Sequence, residues 1–395
     1  MKHIAIGQSG GPTAVINATL AGFVRTLYKD HQLTFIRNGY EGLAEDVFFE
    51  GTKEMISGVL DHERVPGACL GAGRYGFTRE KVKQSVKNLR SRGVQTLVFM
   101  GGNGTMEALH DIQQEADQQH YPLQVIGLPK TVDNDLAGTD HAPGFGSAAK
   151  YAAMAARDMS RDLQAMNNFE QVRILETMGR NAGWLAATSG FFNEYPEDGP
   201  HVISLPECPM KPQVLVQQTE SALETYGSAL IVVSEGSAWS GDEQVEKEIV
   251  NGRPVLGGVS REVEELLKEN LGVMVRSELL GMNQRSFSPA VSTVDLKEAI
   301  QTGETGAEWV LEERSGVMAS LKRISTSPYR VSFTPVWLEA VEQSGERKLP
   351  SKFINDQDAF RDWLRPLLGE GLEMYPPPFQ RRDHHVIRQN QPKQK

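Results

Sequence analysis

Short apolar runs alternate with longer amphipathic stretches along this chain, and that alternation restricts its fold more than any other feature. The runs that predict strands are His3–Gln8, Thr34–Arg37, Thr96–Met100, Gln124–Leu128, Val172–Glu176, His201–Leu205, Leu230–Ser234 and Gly272–Ser277. The amphipathic stretches that predict helices are Ala14–Tyr28, Thr105–Gln119, Phe145–Asn167, Pro212–Tyr226, Ser260–Asn270 and Val291–Thr302. Strands joined through helices of this length form parallel sheets with right-handed crossovers and helices on both faces. The pattern therefore predicts an α/β fold with mostly parallel sheets.

A chain of 395 residues is too long for one simple core and is expected to form two domains. We expect a first α/β domain over residues 1–140 and a second over residues 141–305. Residues 306–375 show less regular patterning and are expected to pack back on the core. Three consecutive prolines begin at Pro376, so residues 376–395 are expected to form a flexible tail.

Charge, hydropathy and cysteine content exclude several classes of protein. The net charge is −10, and basic residues cluster only in the tail, so a nucleic-acid partner is not expected. The longest apolar runs, such as Ala229–Val233, are far too short to span a membrane. Two cysteines, Cys69 and Cys208, provide neither a disulfide framework nor zinc-ligand spacing. These observations predict a cytoplasmic protein.

Two glycine-rich turns each follow a predicted strand and precede a predicted helix. They are Gly7–Pro12, which reads GQSGGP, and Met100–Thr105, which reads MGGNGT. Glycines at such a position let backbone N–H groups approach a phosphate, and the helix N-terminus adds partial positive charge. The common nucleotide-binding fingerprints are absent, so a simple strand-to-helix turn is the alternative interpretation of each segment.

The segment Pro129–Asp135, PKTVDND, places two carboxylates two residues apart after another predicted strand. Phosphoryl transfer to an alcohol needs one carboxylate to accept the hydroxyl proton and further groups to shape or neutralise the site. Lys130 lies beside the carboxylates Asp133 and Asp135. A turn rich in aspartate and asparagine is the structural alternative.

Arginines near strand ends are the remaining candidates for contacts with phosphate. Arg180 ends the segment Glu176–Arg180, and Arg276 and Arg285 follow later in the chain. The planar guanidinium group suits phosphate, and it can stabilise charge on a transferring phosphoryl group. Each of these arginines could equally form an ordinary surface ion pair.

Taken in order, these segments resemble the phosphofructokinase family. The resemblance covers about residues 3–300 and rests on SGGPTAVIN, LGAGR, GGNGT, PKTVDND, PGFGSAAK, ETMGRNAGW, LPE, VSEG and RSELLGMNQR. The first and fourth motifs look closer to the branch that contains pyrophosphate-dependent enzymes. The resemblance implies two Rossmann-like, three-layer α/β/α domains with the active site in the cleft between them. The first domain would bind the phosphate donor and the second the sugar phosphate.

The resemblance also implies roles for individual residues. Asp133 would be the base toward the sugar 1-hydroxyl, with Thr131 and Arg180 as further catalytic residues. The donor would be bound by Gly10, Gly11, Arg74, Gly101, Gly102, Asn103, Gly104, Thr105 and Lys130. The acceptor would be bound by Thr131, Asp133, Asp135, Met178, Gly179, Arg180, Glu207, Arg276 and Arg285. A Mg²⁺ cofactor would be held by Asp135 and by Asn103, which replaces the usual aspartate.

Five positions are altered or ambiguous within the family pattern. Asn103 cannot offset the charge of a metal ion as an aspartate would. Gly104 leaves room for ATP, whereas Lys130 is typical of pyrophosphate users. Met282 replaces a histidine or tyrosine, and Gln171 replaces an arginine. Both replaced residues take part in recognition of the acceptor phosphate in the family. The sequence thus favours ATP as donor and leaves the acceptor open.

The expected activity is Mg²⁺-assisted transfer of the γ-phosphoryl group of ATP to the 1-hydroxyl of fructose 6-phosphate. The family completes its sugar-phosphate site with a neighbouring subunit, so a homodimer or homotetramer is expected. Three alternatives stay open: a pyrophosphate-dependent enzyme, a kinase for another sugar phosphate such as a heptulose phosphate, and a non-catalytic paralogue that binds a nucleotide or sugar phosphate.

Overall fold

The computed structural model describes residues 1–73, 75–238, 246–250, 253–256 and 258–379. The strands are β1 (His3–Gln8), β2 (Gln32–Ile36), β3 (Phe48–Glu50), β4 (Thr96–Gly101), β5 (Gln124–Pro129), β6 (Val172–Thr177), β7 (Val202–Ser204), β8 (Ala229–Ser234), β9 (Glu246–Val250), β10 (Arg253–Leu256), β11 (Val275–Leu279), β12 (Val317–Thr326) and β13 (Tyr329–Trp337).

The helices are α1 (Ile16–Leu27), α2 (Tyr40–Ala44), α3 (Lys53–Asp61), α4 (Arg79–Ser91), α5 (Asn103–Gln118), α6 (Phe145–Ala165), α7 (Trp184–Thr188), α8 (Pro212–Tyr226), α9 (Val259–Leu271), α10 (Asn283–Ser286), α11 (Thr293–Leu311), α12 (Leu338–Ser344), α13 (Ser351–Asn355) and α14 (Gln357–Leu364). Short 3₁₀ turns cover Ser288–Ala290 and Arg365–Leu368.

Two main sheets organise the fold. The larger has the strand order β13-β12-β5-β4-β1-β2-β3, and its central strands β12, β5, β4, β1 and β2 run parallel. The edge strands β13 and β3 are antiparallel to their neighbours. The smaller sheet, β11-β6-β8-β7, is entirely parallel, and β9 pairs antiparallel with β10 in a separate ribbon. The predicted α/β fold with two parallel-sheet units is confirmed.

The central strands are apolar along their whole length because helices cover both faces of each sheet. Every residue of β4 and of β8 is buried. In the larger sheet one face packs on α4 and α5, and the other packs on α1 and α11. In the smaller sheet α8 and α9 lie on one face, and α6 and α7 lie on the other.

Two glycines let α1 and α11 approach closely. A Cβ placed on Gly22 would lie 2.3 Å from the carbonyl oxygen of Ile300, and one on Gly303 would lie 2.0 Å from that of Thr19. Neither position tolerates a side chain without separating the helices. Helix α11 begins at a Ser292 cap, whose hydroxyl accepts a hydrogen bond from the backbone of the first turn.

The part of the chain after residue 305 is more regular than its sequence pattern indicates. Strands β12 and β13 form a long hairpin that joins the larger sheet beside β5. Helices α13 and α14 then bury Phe353, Trp363 and Leu364 against Phe145 and Trp184 in the core beside the smaller sheet. The outer half of the hairpin contains only half-buried and exposed residues, so it lacks the apolar runs that marked the central strands. The expected division at residues 140 and 305 stays a prediction.

None of the described helices is both long enough and apolar enough to cross a membrane.

Candidate active site

Three predicted motifs follow three adjacent strands. Because β1, β4 and β5 are parallel neighbours, GQSGG, GGNGT and PKTVDND leave the same edge of the larger sheet. In the smaller sheet β6 and β8 are likewise parallel neighbours, and they end at the MGR and VSEG motifs. Ligands of open α/β sheets bind at such carboxyl edges.

The catalytic loop, defined here as residues 130–135, is fixed by hydrogen bonds between its own side chains. The Thr131 hydroxyl donates to Asp135 Oδ1 at 3.1 Å and accepts from the backbone N–H of Asp133 at 3.1 Å. Asn103 Nδ2 donates to Asp135 Oδ2 at 3.0 Å and to the Asp135 carbonyl at 3.1 Å. Asn134 has a left-handed φ of +53°, which asparagine tolerates well. The contacts of Asn103 hold the Asp135 carboxylate against the GGNGT turn.

Asp133 has the electrostatic properties of a general base. Burial, followed by repulsion from Asp135 and Glu235, raises the pKa of Asp133 to about 8, although Lys130 opposes this rise. A catalytic pKa near the operating pH favours proton transfer. Asp133 Oδ1 is buried and has no hydrogen-bond partner among the residues that the structure describes. A buried carboxylate oxygen without a partner is costly, so we interpret it as the atom that faces substrate.

Lys130 links the catalytic loop to the first glycine turn. Its Nζ donates to the carbonyl of Gly11 at 2.6 Å and lies 3.3 Å from where a Cβ on Gly10 would be. Burial lowers the pKa of Lys130 to about 8, while Asp135 and Asp133 oppose that change. Its position next to the predicted donor turn is consistent with a contact to donor phosphate.

One glycine in each turn lies against a neighbouring side chain. A Cβ on Gly101 would lie 2.0 Å from the Thr105 hydroxyl, and one on Gly11 would lie 2.9 Å from Arg285 Nη1. Gly10 has φ +74°, in the left-handed region. Arg285, predicted to hold the acceptor phosphate, therefore extends from α10 to the donor turn and bridges the two halves of the site.

Helix α5 begins directly at the second turn. Gly102 is its N-cap, and Gly104, the second residue of the helix, is exposed. The first backbone N–H groups of α5 thus point toward the cleft, where an anion would be stabilised. Arg74, the remaining predicted donor contact, lies outside the described residues.

The MGR motif is held to the other elements of the cleft through its backbone. The N–H of Met178 donates to Gln284 Oε1 at 3.0 Å, and that of Gly179 donates to Glu235 Oε1 at 3.4 Å. Gly179 has φ +129°, which restricts this position to glycine. The Arg180 backbone packs so tightly on Gly236 that a Cβ there would lie 1.5 Å from the Arg180 carbonyl oxygen.

Two predicted acceptor residues occupy less central positions. Glu207 accepts hydrogen bonds from the N–H of Gly183 at 3.0 Å and from that of Leu349 at 2.7 Å, so its carboxylate supports backbone around the cleft.

Arg276 pairs in register with Arg173, three residues before the end of β11. At about 3.3 Å per residue, Arg276 lies roughly 10 Å from the carboxyl edge of the sheet. This chain does not bring Arg276 to the catalytic loop.

The two altered acceptor positions offer little to a phosphate. The Gln171 amide donates to the carbonyl of Asn167 at 2.8 Å and accepts from the backbone N–H of Met274 at 3.1 Å. Met282 is 60 % exposed on the turn that precedes Arg285. A thioether cannot donate a hydrogen bond, and the Gln171 side chain already holds main chain.

The residues present fit a magnesium ion that is bound mainly by phosphate. Asp135 supplies a carboxylate, Asn103 Oδ1 supplies a neutral oxygen, and Asp133 has the unpartnered oxygen noted above. Within the described residues no group of three or more acidic, histidine or cysteine side chains could hold a metal ion by itself. Mg²⁺ commonly uses one or two protein carboxylates with waters and substrate phosphates, so this set suffices.

Sequence reasoning did not single out Glu235 or Glu346. Glu235 was signalled by the VSEG motif at the end of a predicted strand, and its charge raises the pKa of Asp133. Glu346, in the segment after α12, has the same effect on Asp133 and Asp135. No motif marked Glu346, because it lies in a part of the chain without recognisable patterning.

Comparison with known proteins agrees with this site. Residues 3–310 match the family model described as phosphofructokinase. A sulfofructose kinase of Alkalicoccus urumqiensis is 47 % identical over 95 % of this chain and 96 % of the relative. A pyrophosphate–fructose 6-phosphate 1-phosphotransferase of Xanthomonas campestris pv. campestris is 33 % identical over 94 % of this chain and 93 % of the relative. The crystal structure of a pyrophosphate-dependent phosphofructokinase from Marinobacter aquaeolei superposes with a TM-score of 0.82, covering 95 % of this chain and 93 % of that one at 30 % identity.

The fold and the site define a phosphotransferase that acts on an alcohol group of a sugar derivative. The chain belongs to the phosphofructokinase family.

Proposed function

We propose that this protein is a kinase that phosphorylates the 1-hydroxyl of sulfofructose, a fructose in which a sulfonate takes the place of the 6-phosphate. The observation that carries this proposal concerns positions 171 and 282, called the acceptor anion site below. In this chain Gln171 replaces a cation and Met282 replaces a hydrogen-bond donor. The relative from Alkalicoccus urumqiensis, named sulfofructose kinase, supports the same choice of acceptor.

The difference in charge between the two acceptors explains why these losses matter. A phosphate monoester carries about −1.5 to −2 at pH 7, whereas a sulfonate carries a single negative charge. Each hydrogen bond to a charged group contributes about 1.5–3 kcal/mol. A site that lacks an arginine and a histidine therefore loses more affinity for fructose 6-phosphate than for sulfofructose.

The proposed mechanism assigns each step to residues of this chain. Asp133 accepts the proton of the 1-hydroxyl, the sugar oxygen forms a bond to the terminal phosphorus of the donor, and the bond to the leaving phosphate breaks. Arg180 stabilises negative charge on the transferring phosphoryl group, and Thr131 fixes the geometry of the catalytic loop. Asp135 and Asn103 would hold Mg²⁺, which would neutralise phosphate charge at this place.

We propose ATP as the donor, with Gly104 as the supporting feature. The residue is exposed at the start of α5 and leaves space where an aspartate would face the nucleotide's α-phosphate. Lys130 and the relatives named as pyrophosphate-dependent keep pyrophosphate as the second candidate donor. The donor turns and the catalytic loop would bind the terminal phosphates in the same manner in either case.

The test is a matrix of two acceptors and two donors assayed with the purified protein in Mg²⁺. Sulfofructose and fructose 6-phosphate are each combined with ATP or pyrophosphate, and the phosphorylated products are quantified by mass spectrometry. We expect kcat/KM for sulfofructose with ATP to exceed the other combinations by at least tenfold. A preference for fructose 6-phosphate would contradict the acceptor and would instead support a 6-phosphofructokinase. The absence of any product would overturn the kinase proposal altogether.

We also propose that the active assembly is a homodimer or homotetramer. Leu279 and Met282, both 60 % exposed, lie at and just after the end of the edge strand β11, and Phe169, 53 % exposed, lies beside Arg276 of the same strand, so several apolar side chains near this edge are exposed. Burial of these side chains against a second subunit would remove apolar area from water and turn Arg276 toward the neighbouring site. Light scattering of the purified protein tests this proposal.

A further inference from the structure

The segment of residues 345–350, called the cleft segment below, joins α12 of the larger unit to α13 beside the smaller sheet. It follows Gly345, whose φ of +62° turns the chain sharply at the end of α12. The sequence between the two helices is GERKLP, in which three consecutive residues are charged. The cleft segment therefore brings charged groups into the region between the two sheets.

Contacts of Arg347 attach the cleft segment to the catalytic loop. Its backbone N–H donates to the carbonyl of Asp135 at 2.7 Å, and its guanidinium donates to the carbonyl of Asp140 at 2.6 Å. Burial lowers the pKa of Arg347 to about 10, so its charge is retained at neutral pH. The segment thus lies directly against the loop that carries the proposed base.

Contacts on the opposite side attach the same segment to the acceptor half of the cleft. Trp184 Nε1 donates to the carbonyl of Arg347 at 3.3 Å, and the guanidinium of Arg347 lies 4.4 Å from the Trp184 ring centroid. The N–H of Leu349 donates to Glu207 Oε1 at 2.7 Å, and the Leu349 side chain is buried. These contacts fix the cleft segment between the PKTVDND and MGRNAGW motifs.

Glu346 is the residue that the cleft segment presents to the cleft. Its Oε2 accepts a hydrogen bond from Asn181 Nδ2 at 2.5 Å, and Asn181 directly follows Arg180. Glu346 lies near the catalytic loop because the next residue, Arg347, is hydrogen-bonded through its backbone N–H to the Asp135 carbonyl at 2.7 Å, and the charge of Glu346 contributes to the raised pKa of Asp135 after burial. Unlike Asp133 and Asp135, Glu346 is exposed. A carboxylate here can accept further hydrogen bonds from a bound molecule.

We propose that Glu346 is a specificity-determining residue of the acceptor site, where its carboxylate accepts hydrogen bonds from ring hydroxyl groups of the sugar. This inference rests on the proposed function. The site has a negative edge formed by Asp133, Asp135 and Glu346 and a positive side at Arg285. An acceptor with hydroxyls at one end and an anionic group at the other is oriented by this asymmetry, because its anion is repelled from the edge where the 1-hydroxyl must react.

The first experiment measures acceptor binding and turnover in Glu346→Gln. Glutamine retains an oxygen for Asn181, and the site is exposed, so the fold is expected to be unchanged by circular dichroism and thermal melting. A hydroxyl bond to a carboxylate is worth about 1.5–3 kcal/mol. We therefore expect the calorimetric Kd and the KM of sulfofructose to rise about 10- to 100-fold, while the KM of ATP stays within twofold.

The matched control is Glu339→Gln, the same change at an exposed glutamate of α12 that hydrogen-bonds within its own helix. It should leave both Kd and KM unchanged. If Glu346→Gln behaves like this control, the proposal is wrong. An equal loss of affinity for donor and acceptor would also overturn it, because that result would indicate a general disturbance of the cleft.

The second experiment combines the variant with acceptors that lack one ring hydroxyl, at C3 or at C4. If Glu346 binds one of these hydroxyls, the corresponding deoxy sugar should bind wild type and Glu346→Gln equally, so the two losses are not additive. Additive losses for both analogues would contradict the proposed contact. If the wild-type protein phosphorylates neither sulfofructose nor fructose 6-phosphate, the proposed function is wrong. The role of Glu346 in binding can still be tested in that case, because calorimetry measures binding without turnover.

Discussion

The catalytic loop and the acceptor anion site are built in different ways. In the catalytic loop, the side chains of Thr131 and Asn103 both hydrogen-bond to Asp135, and the Oδ1 atom of the proposed base Asp133 is buried. At the acceptor anion site, Met282 is exposed and the Gln171 side chain is bound to main chain. The loop retains the family motif, whereas the anion site departs from it.

This difference separates the chemistry of the enzyme from its choice of acceptor. A buried network is costly to alter, because removal of one member leaves another polar group without a partner. The exposed Met282 side chain has no such constraint, so this position can change with the substrate. Substitutions in the catalytic loop and substitutions at the acceptor anion site should therefore affect different kinetic parameters.

The largest effect is expected for Asp133→Asn. General-base catalysis contributes about 10²- to 10⁴-fold to a reaction, so kcat should fall by at least about a hundredfold, while the KM of the acceptor changes little. Steady-state kinetics with sulfofructose and fructose 6-phosphate will measure both parameters. The control is Asp117→Asn, at an exposed position near the other end of α5. A variant that keeps more than a tenth of wild-type kcat would exclude Asp133 as the base.

A second prediction concerns the buried His141, which supports the chain just after the catalytic loop. Its Nδ1 lies 2.9 Å from Asp140 Oδ2, and its Nε2 lies 2.6 Å from Glu298 Oε2 and 3.4 Å from the Tyr329 hydroxyl. Burial alone would lower the pKa of His141, but the two carboxylates raise it to about 9. The charged imidazolium is therefore stabilised in the folded state.

Because the folded pKa exceeds the unfolded value of 6.5, this stabilisation is complete below about pH 6.5 and is lost as pH rises through about 9. The difference corresponds to about 3 kcal/mol. Urea unfolding is measured at pH 6 and at pH 10. The unfolding free energy should fall more between these two pH values in wild type than in His141→Gln. Equal losses in the two proteins would show that His141 does not titrate in this way.

Changes at the acceptor anion site should alter specificity and leave the chemistry intact. Met282→His and Gln171→Arg each restore a group that can bind phosphate. We expect the double variant to raise kcat/KM for fructose 6-phosphate relative to sulfofructose by roughly 10- to 100-fold. If the ratio of the two kcat/KM values is unchanged and kcat is lowered, these two positions do not contribute to recognition of the acceptor.

The smallest effect is expected for Asn103→Asp. The change exchanges two hydrogen bonds to Asp135 for a second negative charge, which a metal ion would neutralise. We expect Mg²⁺ to bind roughly tenfold more tightly in the presence of a non-hydrolysable ATP analogue, as measured by calorimetry. Unchanged or weaker binding would indicate that position 103 is not close to the ion.

The sequence was informative where local pattern and chemistry coincide. Buried parallel strands are continuous apolar runs, so β1, β4, β5, β6 and β8 were predicted within one residue at each end. The motifs at their carboxyl ends identified the catalytic loop and both glycine turns. Strands β12 and β13 were missed because their outer halves alternate in burial and lie on the edge of the sheet.

Side-chain partners were much harder to predict than elements. Nothing in the sequence indicates that the Gln171 side chain is bound to the main chain at 167 and 274, or that Glu207 supports the backbone of Leu349. The contacts of Gln171 with Met274 and of Glu207 with Leu349 join residues more than a hundred positions apart, and sequence periodicity reports only on neighbours within one helix or strand.

The sequence by itself determined the α/β class and the phosphofructokinase family and predicted the catalytic loop, because each depends on residues that are contiguous in the chain. Only the tertiary structure decided that Arg285 reaches the donor turn and that the cleft segment brings Glu346 next to Asp135. The physical reason is that an active site in a cleft is assembled by strand order and by packing between distant segments. The charge at such a site depends on which of those segments meet.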